Sequence, residues 1–300
     1  MKKIAIYLFL SLSLLIFLGA AFTREFTESD FVGSEMCLEC HDNIKDRVVF
    51  TSHFDLEKTV NNIQVEYCEA CHGPGNLHVE DPEKKGTIRN FKDTEFSEVV
   101  DTCLACHKKN HFLNNFKREK HFQTGSSCLS CHSMHPEQPL NKLLSEQPEG
   151  LCFSCHQDKV SEFNLPYHHK VSEGRMRCWD CHNPHDADVS TQKIGFKKID
   201  ESCFVCHPSQ RGPFTYEHIG TNIGTCTVCH SPHGSENARL LRRSSQYLLC
   251  LECHSGSISA ESLLGMKTPS FHITSNPTYQ NCTICHVKIH GSYLDHYFLR

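Results

Sequence analysis

Every cysteine in this 300-residue chain belongs to a Cys-x-x-Cys pair, and histidine follows every pair at once. The first five motifs are Cys37-Cys40-His41, Cys68-Cys71-His72, Cys103-Cys106-His107, Cys128-Cys131-His132 and Cys152-Cys155-His156. The second five are Cys178-Cys181-His182, Cys203-Cys206-His207, Cys226-Cys229-His230, Cys250-Cys253-His254 and Cys282-Cys285-His286. The pattern is the c-type haem attachment signature. Two thiols bond to the two vinyl groups of one porphyrin, and the next residue places an imidazole under the iron. Zinc accepts Cys-x-x-Cys pairs but does not require a histidine after each. With 23 histidines in the chain, ten such hits by random placement have odds on the order of 10^-11. Ten covalent haem c groups are therefore expected. Apolar residues are only 38% of the chain with cysteine included, which argues against an aliphatic-cored enzyme domain and for porphyrins as the packing surface.

First cysteines are spaced 31, 35, 25, 24, 26, 25, 23, 24 and 32 residues apart. Near-even spacing from Cys103 to Cys250 marks an internal repeat, and taking motifs two at a time gives a dihaem unit. The longer gaps, Gly73–Thr102 and Ser255–Asn281, are rich in Gly, Pro, Ser and charge and read as loops with a short helix at most. Such intervals leave room for short helical turns but not for a sheet. The fold expected is mostly irregular with short α-helices, haem-cored and built from dihaem repeats.

Thirteen histidines lie outside the motifs, and their placement is regular. One follows each even-numbered motif, at His78, His135, His185, His233 and His290. Another precedes each, at His53, His121, His168 or His169 (His168 being the one assigned), His218 and His272. His111 and His296 are left over. Two per dihaem unit suits a second axial ligand on each iron, and which histidine serves which haem is not legible from spacing. An iron with two protein imidazoles has no open position for substrate, so its chemistry is outer-sphere electron transfer, with no catalytic residue expected.

Met1-Lys2-Lys3, an apolar run over Ile4–Phe22 and small residues at Gly19-Ala20-Ala21 read as a secretory signal peptide over 1–21, with an uncleaved anchor as the alternative. Export agrees with covalent haem attachment. Removing Lys2 and Lys3 leaves 28 basic against 35 acidic residues, a poor surface for nucleic acid. The basic run Lys108-Lys109 and Lys117-Arg118-Glu119-Lys120 reads as solvated surface, or as a docking patch for an acidic cytochrome.

The sequence resembles the periplasmic decahaem cytochromes of outer-membrane porin–cytochrome conduits, the MtrA/DmsE/PioA type. The resemblance spans nearly the whole chain after residue 22. It rests on the ten motifs, Cys68-Glu-Ala-Cys-His-Gly-Pro74, Cys181-His-Asn-Pro-His185 and Gln210-Arg-Gly-Pro213 with Glu217-His218. Cys229-His-Ser-Pro-His-Gly234 and Cys285-His286 with His290-Gly291 complete the set. It implies an elongated decahaem domain over 22–300, often described as two pentahaem halves (22–165 and 166–300 here), with two histidines on every iron. It also implies a periplasmic, outer-membrane-associated location and an outer-membrane β-barrel porin partner. Periplasmic or inner-membrane cytochromes and an extracellular multihaem cytochrome are the implied redox partners. The rivals are a diffusing periplasmic shuttle, an extracellular cytochrome filament and a multihaem reductase with one open haem.

Overall fold

The computed structural model describes residues 26–60, 62–110, 113, 115–185, 197–218, 226–254, 272 and 275–300. The apolar N-terminal segment, His111 and most of the Ser255–Asn281 gap lie outside these residues. The chain forms two compact units, one of residues 1–95 with 134–139 and the other of 96–133 with 140–300. This division falls between motifs 2 and 3.

Odd-numbered motifs lie at the C-terminal ends of short α-helices. These are α1 (Ser34–Cys40), α5 (Phe96–His107), α7 (Pro148–Phe153), α9 (Lys197–Cys206) and α10 (Gln246–His254). Even-numbered motifs 4, 6, 8 and 10 begin on single 3-10 turns at Cys128–Ser130, Cys178–Asp180, Cys226–Val228 and Cys282–Ile284. Motif 2 is the exception, on α3 (Tyr67–His72). The two geometries converge on one closure. The histidine N–H donates to the carbonyl of the first cysteine in motifs of both kinds, as in His41 to Cys37, His132 to Cys128 and His230 to Cys226, at 2.8–3.0 Å. A turn closed this way puts residues i, i+3 and i+4 on one side, so both thiols and the imidazole meet one porphyrin.

Between the motifs run α2 (Asp42–Val48), α4 (Asn76–Glu80), α6 (Lys120–Gln123) and α8 (Gln157–Phe163). One hairpin departs from the expectation of no sheet: β1 (Glu57–Val60) pairs antiparallel with β2 (Ile63–Glu66). Alternating Lys58-Thr59-Val60 and Ile63-Gln64-Val65 suit a ribbon, and Asn62 at φ 67° supplies the left-handed turn residue. Val65 at its centre is 1% exposed and joins Val48 and Ala70 in the small aliphatic core of the first unit.

The first unit is held by two carboxylates. Glu69, the second residue of motif 2, is 3% exposed. It accepts from the backbone N–H of Val32 (3.1 Å), Gly33 (3.0 Å) and Gly75 (2.8 Å). Glu66 accepts from Ser34 N at 2.7 Å. These donors include the opening residue of α1, whose first N–H groups have no partner within the helix. Glu69 of motif 2 and Glu66 just before it therefore hold the start of the helix that carries motif 1.

Candidate haem-binding sites

Haem c is implied by the motifs, and the histidine geometry tests whether it fits. An imidazole nitrogen binds such a metal at about 2.0 Å, so two imidazoles on opposite faces of one iron have ring centroids roughly 6 Å apart. Nine pairs of histidines meet this value. His41 faces His78 (6.3 Å), His72 faces His135 (6.1 Å) and His132 faces His185 (6.0 Å). His156 faces His121 (6.1 Å), His182 faces His233 (5.9 Å) and His207 faces His169 (6.4 Å). His254 faces His218 (6.1 Å), His230 faces His290 (6.2 Å) and His286 faces His272 (6.2 Å). Each pair joins one motif histidine to one non-motif histidine, and the residues fit the group.

Of the tenth pair expected, His107 ends α5 in the second unit and His53 sits in the turn after α2 in the first. His168, the residue assigned from the sequence, is turned elsewhere. Its Nδ1 lies 2.6 Å from the Leu165 carbonyl and its Nε2 3.0 Å from Glu173. The neighbouring His169 faces His207 instead, because its Nδ1 donates to the carbonyl of Pro232 at 2.7 Å. That anchor lies 63 residues along the chain and is invisible to local spacing.

The pairing follows a rule. The histidine preceding an even motif faces the histidine of the next odd motif, as His121 with His156, His169 with His207 and His218 with His254. The histidine following an even motif reaches back to the previous even motif, as His135 to His72, His185 to His132, His233 to His182 and His290 to His230. At the two ends, where no further motif exists, His78 takes His41 and His272 takes His286.

The thiols show the complementary order. First cysteines of an odd and the next even motif lie within hydrogen-bonding reach: Cys37 with Cys68, Cys103 with Cys128, Cys152 with Cys178, and Cys250 with Cys282. Burial and the Cys282 thiol push Cys250 up to about 12. Second cysteines approach the following motif, Cys131 beside Cys155 and Cys229 beside Cys253. Within the second unit, first-cysteine and second-cysteine contacts alternate from Cys103–Cys128 through Cys131–Cys155 to Cys152–Cys178.

Burial pushes His72, His135, His182, His185, His218, His254 and His290 below the ordinary imidazole range. A neutral ring keeps a nitrogen lone pair for a metal. In His72 and three further motif histidines the other nitrogen is fixed by a backbone carbonyl. His72 Nδ1 donates to Arg89 O (2.9 Å), His132 to Lys142 O (2.9 Å), His230 to Arg239 O (2.8 Å) and His286 to Tyr297 O (2.5 Å). Such a bond selects the tautomer that leaves Nε2 free.

Two of these carbonyls belong to a device that the sequence reading did not single out. Lys142-Leu143 and Arg239-Leu240 all have φ between 56° and 62°. Each left-handed pair returns the chain to its motif. Ser133 N donates to Leu143 O and Ser231 N to Leu240 O, and His132 bridges Leu144 as His230 bridges Leu241. The signal was the repetition of Lys-Leu-Leu and Arg-Leu-Leu 10 and 9 residues after the motif histidines.

Two ligand-facing rings have a carboxylate as acceptor. Glu119 Oε2 is 2.9 Å from His121 Nδ1, and Glu162 Oε2 is 2.8 Å from His233 Nδ1. In the sequence Glu119 sits within the basic run. In the structure it is 5% exposed, while Lys117 in that run turns to Asp101.

Comparison with known proteins gives the same frame. The doubled CXXCH motif family matches residues 120–161, 168–212 and 218–258. Each match starts at or beside the histidine that precedes an even motif and ends just beyond the next odd motif, so it encloses one of the pairs within its own length. The multiheme cytochrome MtrA of Shewanella baltica (strain OS185) is 28% identical over 284 residues, covering 91% of this chain and 83% of that protein. Repeating this doubled unit and aligning with MtrA over nine-tenths of its length, the chain is a multihaem c-type cytochrome similar to MtrA, and an electron-transfer protein.

Proposed function

We propose that this chain carries ten haem c groups, each held by two imidazoles, and serves as a conduit between periplasmic or inner-membrane cytochromes and the cell exterior. The observation that supports it most is the set of nine histidine pairs at 5.9–6.4 Å. Haem c with both axial positions filled supplies reversible one-electron chemistry and no open coordination site. The chain's own work is to attach, orient and order these groups. Its motif histidines and their facing partners would be the axial ligands, with His169 taking the place assigned to His168. The 20 motif cysteines would be the attachment points.

The location proposed is the periplasm at the outer membrane, reached by means of the signal peptide over 1–21, with the decahaem domain over 22–300. The partner follows from backbone chemistry. Among the described residues the chain is turns, short helices and one hairpin of four-residue strands, and no helix is long and apolar enough to cross a membrane. Irregular backbone facing lipid would leave polar groups unsatisfied. Passage across the roughly 30 Å hydrocarbon core thus calls for an insulating β-barrel porin, with an extracellular multihaem cytochrome as a further partner.

Two measurements test the reading. Electron paramagnetic resonance of the oxidised holoprotein should show low-spin ferric iron only, and a high-spin signal would reassign the chain to a reductase. Proteoliposomes should conduct with a co-purified barrel protein and not with the cytochrome alone; conduction by the cytochrome alone would overturn the partner.

A further inference from the structure

We infer that Glu119 is a positioning residue for the haem of the fifth motif, fixing the plane of His121 and loading that ring with negative charge, so that this site differs electronically from its neighbours. The inference rests on the proposed reading of the paired imidazoles as axial ligands.

A carboxylate can only accept, so the 2.9 Å contact from Glu119 Oε2 means that His121 Nδ1 donates its proton and Nε2 keeps the lone pair. The same oxygen takes the backbone N–H of His121 at 2.6 Å. Two bonds from one buried oxygen to one residue leave the ring little freedom. The His121 and His156 planes cross at 89°. Six other pairs lie within 14–25° of parallel, and the His182–His233 and His169–His207 pairs cross at 47° and 62°.

Charge separates Glu119 from the remaining acceptors. The carbonyls of Arg89, Lys142, Pro232, Arg239 and Tyr297 are neutral. Glu162, the other carboxylate, also receives the Lys159 ammonium at 2.7 Å, shared with Asp158 at 2.9 Å, which offsets part of its charge. An anionic acceptor makes the imidazole a stronger donor to the metal, and the ferric state gains more from that than the ferrous state.

The test uses the haem-loaded full chain carrying Glu119→Gln or Glu119→Ala, with potentiometric titration followed by visible and paramagnetic resonance spectra. Glutamine keeps a hydrogen-bond acceptor and removes the charge. One couple should move to more positive potential by about tenfold in its ferric-to-ferrous ratio, which is about 59 mV for one electron. The most anisotropic low-spin ferric signal, expected from the crossed rings, should persist with glutamine and fade with alanine. Glu162→Gln should move a different couple, and by less. Unchanged couples in both Glu119 variants at full haem content would overturn the inference. If neither variant folds, the unmodified protein decides, since absence of any strongly anisotropic low-spin signal also overturns it. Failure of the underlying reading looks different, as high-spin iron already present in the unmodified protein.

Discussion

The two units use carboxylates for different ends. In the first, Glu66 and Glu69 serve backbone: four N–H donors, from Val32, Gly33, Ser34 and Gly75, close on them. In the second, Glu119 and Glu162 each hold the Nδ1 of a ring that faces a motif histidine, and Glu119 takes the backbone N–H of His121 as well. The difference lies in what is short of a partner. Where α1 begins with orphan donors, a carboxylate from the next motif becomes a structural staple. Where the ring of a distal histidine must be aimed, a carboxylate becomes a handle on the ligand. A chain with few aliphatic residues to bury depends on such polar clamps more than an ordinary domain does.

The largest expected effect tests the staple. Glu69→Ala strands three partly buried backbone donors and should cost roughly 3–5 kcal/mol, measured by urea unfolding of the holoprotein. Glu69→Gln should recover part of that loss. A near-neutral Glu69→Ala would mean that the first unit is held by its haems and not by its carboxylates.

Next comes the handle's own support. A Cβ on Gly234 would clash with the Glu162 carbonyl oxygen and stand 3.3 Å from Leu165 Cβ. Gly234→Ala should force the two segments apart at roughly 1–3 kcal/mol, read as a lowered melting temperature. It should also loosen the His233–Glu162 contact.

A third variant pair separates ligand from neighbour. His169→Ala should convert one haem to high spin, whereas His168→Ala should leave the spectrum unchanged. The reverse result would restore the assignment made from the sequence.

That choice marks the limit of what residue order reveals. The attachment points are legible because covalent chemistry dictates Cys-x-x-Cys-His, and the two-per-unit histidines are legible because every iron has two axial positions. Which ring meets which motif is decided by chain returns such as the Pro232 carbonyl behind His169, and spacing does not carry that information. Glu119 was hidden for another reason: among Lys117, Arg118 and Lys120 it looks like one more surface charge, and only its burial sets it apart. The β1–β2 hairpin escaped because its strands are four residues each, too short for alternation to stand out.

The smallest effect concerns Glu173, which holds no paired ring. The Lys170 ammonium, with help from His168, holds its carboxyl down at about 2. A folded value below the ordinary 4.5 means that the contact contributes fully above that pH and is lost as pH falls through about 2. The group is fully exposed, so solvent screens it. Glu173→Gln should leave the unfolding curve at neutral pH unchanged within error, in contrast to Glu69→Gln.

The left-handed pairs at Lys142-Leu143 and Arg239-Leu240 carry a consequence for how such a protein can vary. The oxygen they offer to His132 and His230 is part of the main chain, and no single substitution can delete it. Replacing Lys142 or Arg239 changes a side chain that points elsewhere and leaves the acceptor standing. Those two sites are thus shielded from drift, while the sites governed by Glu119 and Glu162 stay open to adjustment by one codon, giving selection separate fixed and movable settings along the same series.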